Sequence, residues 1–311
     1  MRVYGTVEIE EMDPWVKTFN EQFPNIKIDY NRRYVYGTPP PMMKAVQNES
    51  KKGITTADIV IASTSPMLQF QNGGLLDEHQ IDSEILSKFK HYNQWWIGFL
   101  AIPTVQIMNK DIINSDNIPT QAMDLIDPKW DGKLTTHDVT LGTYGAHFVQ
   151  KLKDLWGAEK WNQFINGLAK NNPVRFGLFD DLTDAVDDGT CPIGVNALLH
   201  DLIKAKDEGR SVERLRLSDI PAMSTSNAMA MTKAGKNKED AKIFMEFMLS
   251  DEGQKMIGNS EHTVRVPGNE TIDTKYSISK ILPNEDVIYF PDQDAFPRTQ
   301  PDLDLLKEKF S

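Results

Sequence analysis

Two periodicities alternate along the chain. Val3-Tyr4-Gly5-Thr6-Val7 is a short apolar run that reads as a buried strand. Ile26-Lys27-Ile28-Asp29-Tyr30 alternates with the period of two expected of a second strand. Between them Trp15, Val16, Phe19 and Phe23 recur at helical spacing, and Asp13-Pro14 reads as an N-cap with proline at the first helical position. A helical run through Met43 and Val46 follows, then a strand at 58–62 apolar enough to be buried on both faces. Ser63-Thr64-Ser65-Pro66 opens the next helix and Gly73-Gly74 closes it. This β-α-β-α-β-α order predicts a parallel sheet covered by helices on both faces, an α/β fold.

The same grammar continues. Positions 97–108 form a mostly apolar stretch, too long for one ordinary strand. Strands are expected at Lys133-Leu134-Thr135-Thr136, Val174-Arg175-Phe176, Ile193-Gly194-Val195 and Ala228-Met229-Ala230-Met231. Helical stripes run through Phe148, Leu152 and Leu155, through Trp161, Phe164, Ile165 and Leu168, and through Ala241, Phe244, Met245 and Met248. From 267 onward proline and acid increase, with a short final helix expected at 303–310. A length of 311 residues suits two domains.

Charge narrows the function classes. Thirty-four Lys plus Arg against 45 Asp plus Glu give a net charge of −11, and the basic residues do not cluster, so nucleic acid is not an expected partner. One cysteine, Cys191, excludes an internal disulfide and any multi-cysteine metal site. No phosphate loop, GxSxG elbow, HExxH or post-strand GxGxxG occurs, and the histidines show no ligand-like i, i+4 pairing. No catalytic residue, metal site or cofactor is expected. Asp180-Asp181 and Asp187-Asp188 read first as helix-end carboxylates, with Asp180 kept as a rim candidate. Trp95-Trp96 reads first as packing and second as a flat wall for a ligand.

What recurs is small, hydroxylated or glycine-rich segments between a strand and a helix. They are Gly5-Thr6, Tyr36-Gly37-Thr38, Ser63-Thr64-Ser65 and Gly142-Thr143-Tyr144-Gly145. Each places N–H groups and hydroxyls at a helix N-terminus, where donors suit oxyanions. Four such segments in one chain, three before residue 70 and one at 142–145, suggest the rims of a binding cleft rather than a catalytic centre.

Several segments together resemble the family 1 extracellular solute-binding proteins of ABC importers. Asp58-Ile59-Val60-Ile61-Ala62-Ser63 is similar to the family's "ADVFIS" strand, and Asp127-Pro128-Lys129-Trp130-Asp131-Gly132-Lys133 to its "DPKWKGKI" turn. The run from Lys236 through Phe244-Met245-Glu246-Phe247-Met248 to Gln254 resembles its late helix. Val264-Arg265-Val266-Pro267-Gly268 and Phe290-Pro291-Asp292 match its last motifs. The ferric-iron-binding-like branch is the nearest in pattern. Its iron binders carry adjacent tyrosines late in the second lobe, and the matching stretch here is Ile193-Gly194-Val195-Asn196-Ala197-Leu198-Leu199-His200, without them.

The resemblance implies a type 2 periplasmic-binding-protein-like fold of two α/β lobes, hinged by crossing strands, with the ligand cleft between them. Lobe one is expected at 1–102 and 228–265, and lobe two at 103–227 and 266–311. It implies a non-enzymatic, monomeric, extracytoplasmic protein, periplasmic or anchored at the cell surface, whose signal segment is absent from this sequence. Its partners are a small-molecule solute and an ABC transporter permease at the membrane. The expected ligand contacts are the four loops above with Asp180 and Asn196. The expected ligand is an anionic or phosphorylated organic solute, with a ferric-iron carrier or an enzyme on the same scaffold as alternatives.

Overall fold

The computed structural model describes residues 1–33, 41–141, 144–260, 264–289 and 296–310. The strands are β1 (Arg2–Gly5), β2 (Asp29–Arg32), β3 (Ile59–Ser63), β4 (Ile97–Asn109), β5 (Leu134–His137), β6 (Val174–Phe176), β7 (Ile193–Leu198), β8 (Val212–Leu215), β9 (Met223–Met231), β10 (Val266–Pro267) and β11 (Ile288–Tyr289). The helices are α1 (Ile9–Gln22), α2 (Pro41–Lys51), α3 (Thr64–Asn72), α4 (Ser83–Leu86), α5 (Tyr144–Trp156), α6 (Ala158–Lys170), α7 (Phe179–Asp187), α8 (Leu199–Asp207), α9 (Lys238–Leu249), α10 (Asp251–Gly258), α11 (Ile278–Ile281) and α12 (Phe296–Lys309). The chain divides into two compact units, Met1–Ala101 with Ser226–Asn284, and Ile102–Thr225 with Glu285–Ser311.

In the first unit β2, β1 and β3 are parallel, and β3 pairs antiparallel with Asn227–Met231 of β9. Helix α1 starts at Ile9, earlier than the Asp13-Pro14 pair suggests, because extended Glu8 serves as its N-cap and Pro14 is taken inside the helix. Glu10 and Glu11 in its first turn complement the helix dipole. Its buried stripe of Met12, Trp15 and Phe19 packs on α9, with the Phe19 ring edge-on to Phe244 and Phe247 at 5.2 and 5.3 Å. The apolar stripe expected as one late helix is two. Ser250 turns extended, accepts the Gly253 N–H and starts α10, and a side chain at Gly253 would lie 2.2 Å from the Phe247 carbonyl oxygen.

Residues 266–284 belong to this first unit, not to the second lobe to which the whole tail was assigned. Val266 and Pro267 pair with Ala101 and Leu100, and the Asn269 N–H donates to Gln254 Oε1 at 2.9 Å. The Arg265 guanidinium donates to buried Glu11, with Nε 2.9 Å from Oε2. One buried carboxylate organises the amino ends of the strands. Asp58 accepts the Arg2, Lys236 and Asn237 backbone N–H groups at 2.7, 2.7 and 2.9 Å and Asn237 Nδ2 at 3.0 Å. Burial pushes its pKa up, but these donors outweigh burial and hold it below the ordinary carboxylate value.

In the second unit β6, β5 and β7 are parallel. Strand β7 pairs antiparallel with Thr104–Met108 of β4, whose far end pairs with β8. β4 is a single strand of 13 residues, so the long apolar stretch is one element running from the first unit into the second. The core joins Leu134, Phe148, Leu152, Trp161 and Phe164 to Leu306 and Phe310 of the tail. The final helix starts at Phe296, seven residues before the expected 303, and Lys153 holds its Asp302 at 2.6 Å.

Two measurements follow from these buried polar groups. Asp58→Ala leaves several buried donors unpaired, and urea melts should show a loss of at least ~3 kcal/mol; a loss under ~1 kcal/mol would contradict the role of Asp58. His91, His137 and His147 are each held at about 4, chiefly by burial. The unfolded imidazole titrates near 6.5, so the unfolded chain takes up protons first as pH falls. Stability is then fully present above pH ~6.5 and lost towards pH ~4, by about 3 kcal/mol per histidine. Melts across this window check the slope, and a flat profile would contradict it.

Candidate functional site

Parallel strands send all their carboxyl ends to one edge, and in the second unit β5, β6 and β7 each lead there into the next helix: α5 after a 3-10 turn at Val139–Leu141, α7 and α8. Asn196 in β7 joins two of these ends. Its Oδ1 accepts the Thr136 hydroxyl and the His137 backbone N–H, both at 2.8 Å. Both of its acceptor positions are then used within the protein, while Nδ2 has no partner among the described residues. Asn196 is 1% exposed, so the unmade bond is a buried one.

His137 is fully buried beside it, its ring stacked on Phe179 with centroids 4.0 Å apart and planes 13° apart. Neither ring nitrogen makes a well-formed hydrogen bond, and the Gly177 backbone carbonyl offers only a weak one. Burial lowers its pKa to about 4, so the ring is neutral at pH 7. These groups face the first turn of α5. A Cβ on Gly145 would sit 2.9 Å from His137 Nδ1 and 3.2 Å from Asn196 Nδ2, so only glycine lets the helix start approach so closely. The nearby carboxylate is occupied: Asp138 accepts the Thr140 N–H and hydroxyl at 2.9 and 2.7 Å, with Arg175 at 3.7 Å.

This strand end therefore holds a buried amide donor without a partner among the described residues and a buried neutral imidazole beside the start of α5, and the neighbouring carboxylate, Asp138, is occupied. Asp180 and Asp181 are exposed in the first turn of α7, where their charge complements the helix dipole. In the stretch that lacks the branch's tyrosine pair, Leu198 and Leu199 are buried. His200 Nε2 lies 3.2 Å from Asp201 Oδ1. Among the described residues no group of three His, Cys, Asp or Glu side chains could hold a metal ion, and no helix is long and apolar enough to cross a membrane.

The other expected contacts are distributed as follows. Tyr36, Gly37, Thr38, Gly142 and Thr143 lie outside the described residues, and Tyr144 is the first residue of α5. In the first unit Gly5 lies under the Tyr30 ring, where a Cβ would come within 2.7 Å of the phenol oxygen. Thr6 donates its N–H to the Ile61 carbonyl at 3.2 Å. Ser63 is the residue before α3 and makes no capping bond; Thr64, 1% exposed, has a hydroxyl without partner, and Ser65 is buried. Trp96 is 2% exposed with its indole N–H on Gln71 Oε1 at 3.1 Å, which makes it a packing residue. Next to Gly5, Tyr4 gives its hydroxyl to Glu49 at 2.9 Å beneath the Arg33 guanidinium.

Of the residues at this strand end, the sequence reading names Asn196 as an expected ligand contact and Gly145 in the last of its four loops, and it does not name His137. The signal for His137 is its place as the last residue of a strand parallel to that of Asn196, which needs the register His137 beside Asn196 rather than the sequence neighbour Asp138.

The fold is shared with solved binding proteins. The substrate-binding protein of an ABC transporter from Agrobacterium tumefaciens is 15% identical, with a TM-score of 0.78 over 100% of this chain and 95% of that one. The apo ferric ion-binding protein A of Pasteurella haemolytica is 18% identical, with a TM-score of 0.78 over 99% and 97%. The periplasmic binding protein AfuA of Actinobacillus pleuropneumoniae, with exogenous fructose 6-phosphate bound, is 19% identical, with a TM-score of 0.72 over 100% and 96%. Residues 55–294 match the family profile itself. A two-unit α/β chain with periplasmic-binding-protein architecture, and donors at its strand ends, thus belongs to the bacterial extracellular solute-binding proteins.

Proposed function

We propose that this chain captures a small anionic or phosphorylated organic solute outside the cytoplasm and hands it to the permease of an ABC importer, without chemistry. The observation that carries the reading is the pair of unsatisfied groups, Asn196 Nδ2 and the His137 imidazole, under the start of α5. A buried donor left unpaired costs roughly 1–3 kcal/mol, and a ligand oxygen that pairs it recovers that cost on binding. A helix start adds partial positive charge, so an oxyanion is the acceptor that gains most. The transport role rests on the family and on the absence of a free acid–base pair beside the described site.

Ferric iron is the weaker reading. It asks for hard anionic oxygens, whereas Asn196 offers an amide and His137 a neutral ring, and the stretch that lacks the tyrosine pair carries buried leucines. The solute reading of fructose 6-phosphate for AfuA fits a donor-lined strand end of this kind.

Asn196→Asp separates the two readings, because it keeps an oxygen for Thr136 and His137 while replacing the free donor with negative charge. A thermal-shift panel of sugar phosphates, a phosphonate, thiamine, a polyamine and ferric citrate should show the wild type stabilised by a phosphorylated or anionic member. The variant should bind that compound at least ~10-fold more weakly, the equivalent of one charge-assisted hydrogen bond. Stabilisation by ferric iron alone, strengthened in Asn196→Asp, would overturn the proposal.

A further inference from the structure

Arg214 in β8 is a cation placed where the chain leaves it only partly answered. Its side chain is 10% exposed, and it donates through Nη2 to Glu285 Oε2 at 2.8 Å. Nε and Nη1 are buried without a partner among the described residues. Glu285 is shared: Arg216, 63% exposed, brings its Nη2 to 3.2 Å from the other carboxylate oxygen. Two guanidinium groups thus face one carboxylate, a local excess of one positive charge in a chain of net charge −11. The neighbouring carboxylates do not restore the balance. Glu213 is held by Lys206 at 2.7 Å and accepts the Arg214 backbone N–H, and Asp286 is exposed.

Guanidinium cannot shed its proton to escape burial, so its N–H groups need an acceptor. Burial depresses the Arg214 pKa and the Arg216 charge adds to that, while Glu285 opposes both. A planar donor fork with open positions is suited to phosphate and carboxylate. We propose that Arg214 and Arg216 form a second anion site in the second unit, built from residues other than those around Asn196, which takes a small oxyanion, a phosphate or carboxylate group. Arg216 is its solvent-facing member and Arg214 its buried anchor. The bound oxyanion completes the charge balance around Glu285, at the point where the chain re-enters this unit after Asn284.

The test uses the full chain carrying Asn196→Asp, so that the strand-end site is weakened and the Arg214 and Arg216 changes are read against that background. Equilibrium titration with inorganic phosphate at constant ionic strength should show one saturable site, and a parallel titration with acetate shows which oxyanion is preferred. Adding Arg214→Lys should weaken the site about tenfold, as expected for losing a charge-assisted hydrogen bond. Adding Arg216→Gln, an exposed change that spares folding, should weaken it by at least about threefold with the circular dichroism unchanged. The proposal is overturned if neither oxyanion binds saturably to the Asn196→Asp chain. It is overturned equally if binding is unchanged by Arg216→Gln.

Discussion

The side-chain oxygen of Asn196 accepts two hydrogen bonds from β5, and those bonds decide what the second unit presents at its strand ends. By taking the Thr136 hydroxyl and the His137 N–H, the amide fixes β7 against the last residues of β5. It also fixes its own orientation, since only the oxygen can accept, and so aims its NH2 away from β5. His137 is drawn into the same buried corner, flat on Phe179, where a charge would be costly and the ring stays neutral. The absence of a side chain at Gly145 keeps this corner within reach of the start of α5.

The first unit shows the contrasting solution at the opposite strand ends. There Asp58 gathers the N–H groups of Arg2, Lys236 and Asn237, so the amino ends of β1 and β3 are locked by a satisfied buried carboxylate. At the carboxyl end of β3, Thr64 keeps an unpartnered buried hydroxyl. In both units a strand-end donor is left open where an α/β sheet binds ligands. Binding capacity in such a fold comes from what the packing declines to satisfy.

Much of the fold was legible because period and composition agreed. The strands at β1, β3, β5, β6, β7 and β9, and the stripes of α1, α5, α6 and α9, are core-facing patterns that local sequence announces. Where reading failed, something other than apolar spacing decided. Pro14 sits inside α1 because Glu8 caps it from further back. Ser250 splits one stripe into two helices through a backbone turn that hydrophobic spacing cannot register. The tail at 266–284 joins the first unit through pairing with Leu100 and Ala101. At this strand end the matching stretch points to Asn196, whereas nothing in the residues next to His137 marks it. Its actual neighbour is 59 residues away in sequence.

The most direct measurement is a crystal structure of the protein loaded with whichever compound stabilises it most. The account predicts a phosphate or carboxylate oxygen of that ligand within hydrogen-bond distance of Asn196 Nδ2, at the first turn of α5, with the His137 ring neutral beside it. A ligand bound elsewhere, with Asn196 Nδ2 left to water or unpaired as before, would contradict it.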